Sequence, residues 1–355
     1  GYPLLEGIPD IDEPFSGYLW TDFARNHKTY YHFGEFISTQ FCTDQGTPEE
    51  AKLPEEGGTP EGKHFCERPF IHKGDPIPAN YGGGMSQYPW NIPLIYRNIA
   101  TKRELEGHFD PQYPDFELSF PDQLRVNEFL VHFNQWVADR KQGHDTMPQF
   151  VMLRLPNDHT AGTSPGMPTP EASVADNDLA VGRAVDAVSH SPYWDDTAFF
   201  ILEDDAQAGA DHVDAHRSIS LVVSKYAPHK AKPFVDHTFY TTVSTLHTML
   251  KLLQAPPMSM NDALASLMAP EFSGAGDQPA FKADYRNQEN GLIYTANAPT
   301  AVGAKESAKM DFRHEDQAPT EKLNVILWKQ AMGKKPVPWM LTHPEQNRDE
   351  DDDDR

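Results

Sequence analysis

Two apolar segments, Gln149-Phe150-Val151-Met152-Leu153-Arg154-Leu155 and Thr197-Ala198-Phe199-Phe200-Ile201-Leu202, each run straight into a polar cluster, and this arrangement constrains the chain more than any other feature. The first ends in Pro156-Asn157-Asp158-His159-Thr160-Ala161-Gly162. The second ends in Glu203-Asp204-Asp205-Ala206-Gln207 and continues to Asp211-His212-Val213-Asp214-Ala215-His216-Arg217. Short apolar runs closed by turn residues read as buried strands. Between them, Val174, Val181, Val185 and Val188 fall on one stripe of a helix spanning Ala172 to Ser189. Strand, helix and strand then form a βαβ unit with a right-handed crossover, which makes the two strands parallel neighbours in one sheet. Both polar clusters lie at the carboxyl edge of that sheet, where open α/β folds bind ligands.

Further elements follow from the same periodicities. Val126, Phe129, Leu130, Phe133, Trp136 and Val137 define a helix leading into the Phe150 strand, and Ile219 to Val223 reads as a third strand. Phe239, Val243, Leu246, Leu250 and Leu253 mark the clearest amphipathic helix, with Asp236 expected to cap it and His237 expected to pack or cap. A helix-like piece, Tyr18 to Asn26, precedes a strand-like piece, Thr29 to Phe36. Residues 42–98 are rich in Gly and Pro and read as a loop-rich excursion. Pro319 opens a late helix with Leu323, Ile326, Leu327 and Ala331 inward, and Asp349 to Asp354 form a like-charge tail.

Composition excludes some functions. The formal net charge of -23 would repel a phosphate backbone, which argues against nucleic-acid binding. No apolar run approaches the roughly 20 residues of a membrane span. Cys42 and Cys66 bracket a polar stretch and either close it as a disulfide or stay as two thiols; a disulfide fits an exported protein.

A family resemblance rests on Leu155-Pro156-Asn157-Asp158-His159-Thr160, Val174-Ala175-Asp176-Asn177-Asp178, Tyr193-Trp194-Asp195-Asp196-Thr197-Ala198, Glu203-Asp204-Asp205-Ala206-Gln207 and Asp211-His212-Val213-Asp214-Ala215-His216-Arg217. Gly17-Tyr18-Leu19-Trp20, His108-Phe109-Asp110-Pro111 and Pro121-Asp122-Gln123 extend it. Together these segments resemble the phosphoesterase family of acid phosphatases and phospholipases C, within the alkaline phosphatase superfamily. The likeness is greatest to bacterial phosphoesterase domains fused behind an amino-terminal β-propeller. The resemblance implies an alkaline-phosphatase-like α/β fold, with a mostly parallel sheet flanked by helices and incomplete in this chain. Residues 1–335 would form the carboxyl-terminal part of the domain and 336–355 an acidic tail. It also implies a periplasmic or extracellular setting. The family's Glu-Asn pair and its Ser or Thr nucleophile precede the Gly-Tyr-Leu-Trp segment, so both are expected in an amino-terminal segment outside this sequence, and this chain alone is expected to be inactive.

The implied chemistry is phosphoric ester hydrolysis. Asp204 and Asp205 would hold one divalent metal ion, which activates a hydroxyl and neutralises charge on an in-line transition state. His159 would bind a phosphoryl oxygen or assist the leaving group, and His212 would contact metal or phosphate or else orient the metal ligands. Asp158, Asp211, His216 and Arg217 would either bind phosphate or support the ligands. The His159-x-x-Gly162 spacing resembles part of a metal motif in two-zinc relatives, but Leu155 stands where those relatives place an Asp, which implies one metal. A non-catalytic extracellular structural or binding protein that keeps the fold is the alternative.

Overall fold

The computed structural model describes residues 13–43, 60–63, 66–203, 218–228, 234–313 and 317–342. Its centre is a parallel pair, β1 (Tyr30–Phe33) and β7 (Phe150–Leu153), in register from Tyr30 opposite Phe150 to Phe33 opposite Leu153. Alternation along a strand sends successive side chains to opposite faces. Tyr30, Phe150 and Met152 accordingly join one core cluster, with Leu19, Trp20 and Phe23 of α1 (Leu19–Arg25). Tyr31, Phe33, Val151 and Leu153 join another, with Val126, Phe129, Phe133 and Trp136 of α2 (Asp122–Lys141) and Ala180, Ala184 and Val188 of α3 (Pro170–Ser189). Helices therefore cover both faces of the pair, an α/β/α layering that buries the strands from two sides. The helix Thr242–Leu252 adds Leu250, 1% exposed, to the α1 side.

The other strands form small antiparallel sets. β2 (Ile37–Phe41) and β3 (Pro60–Lys63) flank β6 (Ile95–Ala100), and β4 (Phe70–Ile71) pairs with β5 (Ile92–Pro93). The 42–98 region thus carries β3, β4, β5 and the start of β6, and a Cys42–Cys66 disulfide closes its first part as expected. Buried Arg97 and Asn98 interrupt the apolar pattern of β6, which hides that strand in the sequence.

Two expectations need correction. β8 (Ala198–Leu202) pairs antiparallel with β9 (Ser220–Ser224), so among the described residues β7 and β8 lie in different sheets rather than side by side in one parallel sheet. α3 does connect them in sequence, and Phe199 reaches the cluster that holds Val151 and Leu153. Apolar content reports burial; it does not name the pairing partner. Among the described residues the fold is α/β with one short parallel pair, not a mostly parallel sheet. Secondly, Thr241 rather than Asp236 caps the helix Thr242–Leu252, and Phe239 lies outside it, 70% exposed. Asp236 instead accepts from Thr238 N at 2.8 Å, and His237 precedes the helix.

No described helix is long and apolar enough to cross a membrane.

Candidate functional site

At the carboxyl end of β7 the chain leaves the sheet in a tight turn, Asn157–His159, that lies over α3. A buried polar network fastens it. Asn157 N donates to Asp122 Oδ2 at 3.1 Å, and Asn157 Nδ2 donates to Asp176 Oδ2 at 3.0 Å. Asn177 Nδ2 donates to Leu155 O at 2.6 Å and to Asp158 Oδ1 at 3.2 Å. Arg125, fully buried, pairs with Asp122 Oδ1 at 3.0 Å and donates to the carbonyls of Phe120, Asp115 and Glu117. Burial, opposed by Arg125, and the neighbouring Asp176 push the Asp122 carboxyl up to about 7. Asp176 is raised as well, by burial.

His159 sits on the rim of this turn. Its Nδ1 lies 3.2 Å from Thr160 O, and its ring meets Phe116 edge-on at 5.0 Å. A carbonyl can only accept, so in that contact Nδ1 is the donor. The next residue carries the site's clearest anomaly: Thr160 has φ 58° and ψ 157°, a region essentially reserved for glycine, although it is β-branched and buried. Bonds from Thr160 N to Asn157 O (3.0 Å) and from Gly162 N to Thr160 Oγ1 (3.2 Å) hold it there. Gly162 has its own structural reason. With φ 53°, a Cβ there would stand 2.9 Å from Ser307 Oγ and 3.2 Å from Leu323, so the His159-x-x-Gly162 spacing is accounted for by close packing. Asn297, buried, ties Gly162, Ser164 and Pro168 together through their carbonyls.

A second polar cluster was not foreseen. Asp110, Glu128 and His132 bring three potential ligand atoms within 4.8 Å of one another, a buried group able to hold one metal ion. His132 Nε2 stands 2.6 Å from Asp110 Oδ2 and 3.8 Å from Glu128 Oε1. Burial, with the Asp110 charge beside it, pushes Glu128 up to about 7; burial lowers His132, but its two carboxylate neighbours outweigh that and leave it raised. Two of these three residues were readable in advance, because Glu128-x-x-x-His132 places both on one face of α2. Asp110 comes from a separate turn, and only the fold brings it in.

Of the expected site residues, His159 and Asp158 lie together on the turn, with Asp158 engaged by Asn177. Asp204, Asp205, Asp211, His212, Asp214, His216 and Arg217 lie outside the described residues, which stop at Glu203 and resume at Ser218. His108 is exposed and stacks on Tyr30 at 4.5 Å, the behaviour of an ordinary loop histidine. Set against protein-family models, curated proteins and solved structures, the chain matches none of them.

Proposed function

We propose that this chain is part of a metal-dependent phosphoric ester hydrolase of the phosphoesterase family, acting on a phosphomonoester or, like a phospholipase C, on a phospholipid head group. The observation that carries the reading is Thr160. Backbone strain of this kind costs about 1–3 kcal/mol and persists where surrounding structure over-determines it, most often at functional sites. Here it adjoins His159, at the end of the parallel strand from which the resemblance draws a phosphate-contacting histidine. The Asp122, Arg125, Asn157 and Asp176 network holds the turn rigid, as a positioning device requires.

In this reading Asp204 and Asp205, directly after β8, would hold one divalent cation that supplies charge neutralisation and hydroxyl activation. His159 presents Nε2 to the substrate, accepting a proton as neutral imidazole and donating one to a phosphoryl or leaving-group oxygen as imidazolium. His212 would assist at the same centre, with Asp158, Asp211, His216 and Arg217 supporting phosphate or ligands. The nucleophilic hydroxyl would come from the upstream segment that the resemblance calls for. The Cys42–Cys66 bond supports an oxidising compartment, periplasmic or extracellular.

The test is an assay of the natively produced full-length protein, stripped with chelator, on p-nitrophenyl phosphate and p-nitrophenyl phosphocholine with Mg²⁺, Mn²⁺, Ca²⁺ or Zn²⁺ restored. Turnover that returns with metal and falls by roughly 100-fold or more in His159→Ala and Asp205→Asn supports the reading. Absence of turnover with every metal favours a binding protein on the same scaffold.

A further inference from the structure

We propose that Asp110, Glu128 and His132 form a divalent-cation site, best suited to zinc, that ties α2 to the turn preceding it and to β1. Its three residues are none of those proposed for the reaction centre, and the inference does not rest on that reading.

The argument begins with charge. Asp110 is 0% exposed and Glu128 1% exposed, and among the described residues His132 is the one basic group within ion-pair distance of either. Two buried carboxylates facing one imidazole leave the cluster short of positive charge, and an uncompensated buried charge is costly. The lone pairs agree. Glu128 Oε2 is buried without a hydrogen-bond partner, and Asp110 Oδ2, buried as well, has the 2.6 Å contact with His132 Nε2. Unpartnered buried oxygens are rare in folded proteins and call for a specific explanation.

The supporting structure aims these atoms. Asp110 Oδ1 accepts from Gln112 N at 2.6 Å, and Asp110 N donates to His32 O of β1 at 2.9 Å, so the carboxylate is fixed with Oδ2 turned to the cluster. Asn98 Nδ2, inside β6, reaches the Asp110 carbonyl at 3.4 Å. The His132 ring is packed by Tyr31 at 5.6 Å, Phe33 at 5.5 Å and Trp136 at 6.0 Å. Only its outer side meets solvent, with 31% of the side chain exposed. One imidazole and two carboxylates with an open side fit the mixed nitrogen and oxygen coordination of zinc, water completing the tetrahedron. Two ligands about 2.0–2.1 Å from a tetrahedral zinc stand roughly 3.3 Å apart, so binding would lengthen the 2.6 Å separation of His132 and Asp110 and shorten the 3.8 Å separation of His132 and Glu128. His132 is the partly exposed member of the three.

Asp204→Asn/Asp205→Asn protein removes the ligands proposed for the reaction centre, so a cation it still binds reports on this cluster. Stripped with chelator and titrated with Zn²⁺, it should retain one equivalent, and zinc should raise its unfolding midpoint. Co²⁺ in its place should give a visible absorption band. Adding His132→Ala, or the near-isosteric Glu128→Gln should His132→Ala fail to fold, should remove the equivalent, the midpoint shift and the cobalt band. The expected loss of affinity exceeds the roughly 10–100-fold that follows removal of a residue that merely orients a ligand. Failure of the double variant to bind zinc would overturn the site, as would a zinc equivalent that survives both added substitutions. Neither result bears on ester hydrolysis.

Discussion

The main-chain N–H of Asp122 donates to the Asp176 carboxylate at 2.6 Å, across the interface of α2 and α3. Gln123 N adds a second bond to the same carboxylate at 3.3 Å, so α3 supplies the cap that Pro121, with no side-chain oxygen, cannot give to α2. A negative charge at a helix amino terminus also opposes the positive end of its dipole. Asp176→Ala should therefore cost at least about 2 kcal/mol in a denaturant titration, because it strips the cap and leaves Asn157 Nδ2 with Phe120 O as its one remaining acceptor. A loss below about 0.5 kcal/mol, within the range of an ordinary surface substitution, would deny Asp176 this role.

Thr160 provides a test by reversal of sign. Glycine normally destabilises relative to alanine, by about 0.5–1 kcal/mol in regular structure. At φ 58°, ψ 157° the order should invert. Thr160→Gly and Thr160→Ala lose the same hydroxyl bond to Gly162, but only glycine fits the backbone, so Thr160→Gly should be the more stable of the two by about 1–3 kcal/mol. The ordinary ranking, measured by thermal unfolding, would show that the turn relaxes at no cost.

His32 makes a prediction about acid. It is fully buried with neither ring nitrogen hydrogen-bonded, and burial lowers its pKa from 6.5 to about 3. Between those values the unfolded chain binds a proton that the folded chain does not. Stability from this group is thus complete above pH 6.5 and lost as pH falls toward about 3. The full effect of one such group is about 1.4 kcal/mol per pH unit. His32→Phe should flatten the decline in that window by a comparable slope. Parallel curves for the two proteins would place His32 in a wetter site.

Much of the fold was legible because burial leaves a period in the sequence. The strands at Phe150 and Ala198 and the helices carrying Phe129 and Val185 all occur where their patterns put them. Partners were not legible: β7 runs beside β1, and β8 beside β9, since an apolar run says that a strand is covered and not by what. α3 buries only part of the valine stripe that revealed it. Val185 and Val188 are buried, but Val174 is 51% exposed, while Ala172, Ala175, Leu179 and Ala180 face inward with Asp176 among them. A carboxylate on an alanine-lined face was the available sign of the buried network. At the site, Asn157, Asp158 and His159 could be read from the end of their strand, whereas Asp110 joins Glu128 and His132 only through tertiary packing.

Opening the loop between the cysteines should weaken the fold as a whole. Cys42→Ser/Cys66→Ser frees a 24-residue separation, which corresponds to about 3 kcal/mol of chain entropy regained by the unfolded state. Chemical unfolding should show that loss in protein made in an oxidising compartment, and the same stability with and without the bond would assign the region no part in holding the fold.

The most direct measurement of the central claim is single-turnover hydrolysis of p-nitrophenyl phosphate by the natively produced full-length protein, before and after chelation, in wild type and His159→Ala. The account predicts metal-restored release of p-nitrophenol in wild type and a rate lower by roughly 100-fold or more in the variant, with both proteins equally folded. Equal rates in the two proteins, or no release with any divalent cation, would contradict it.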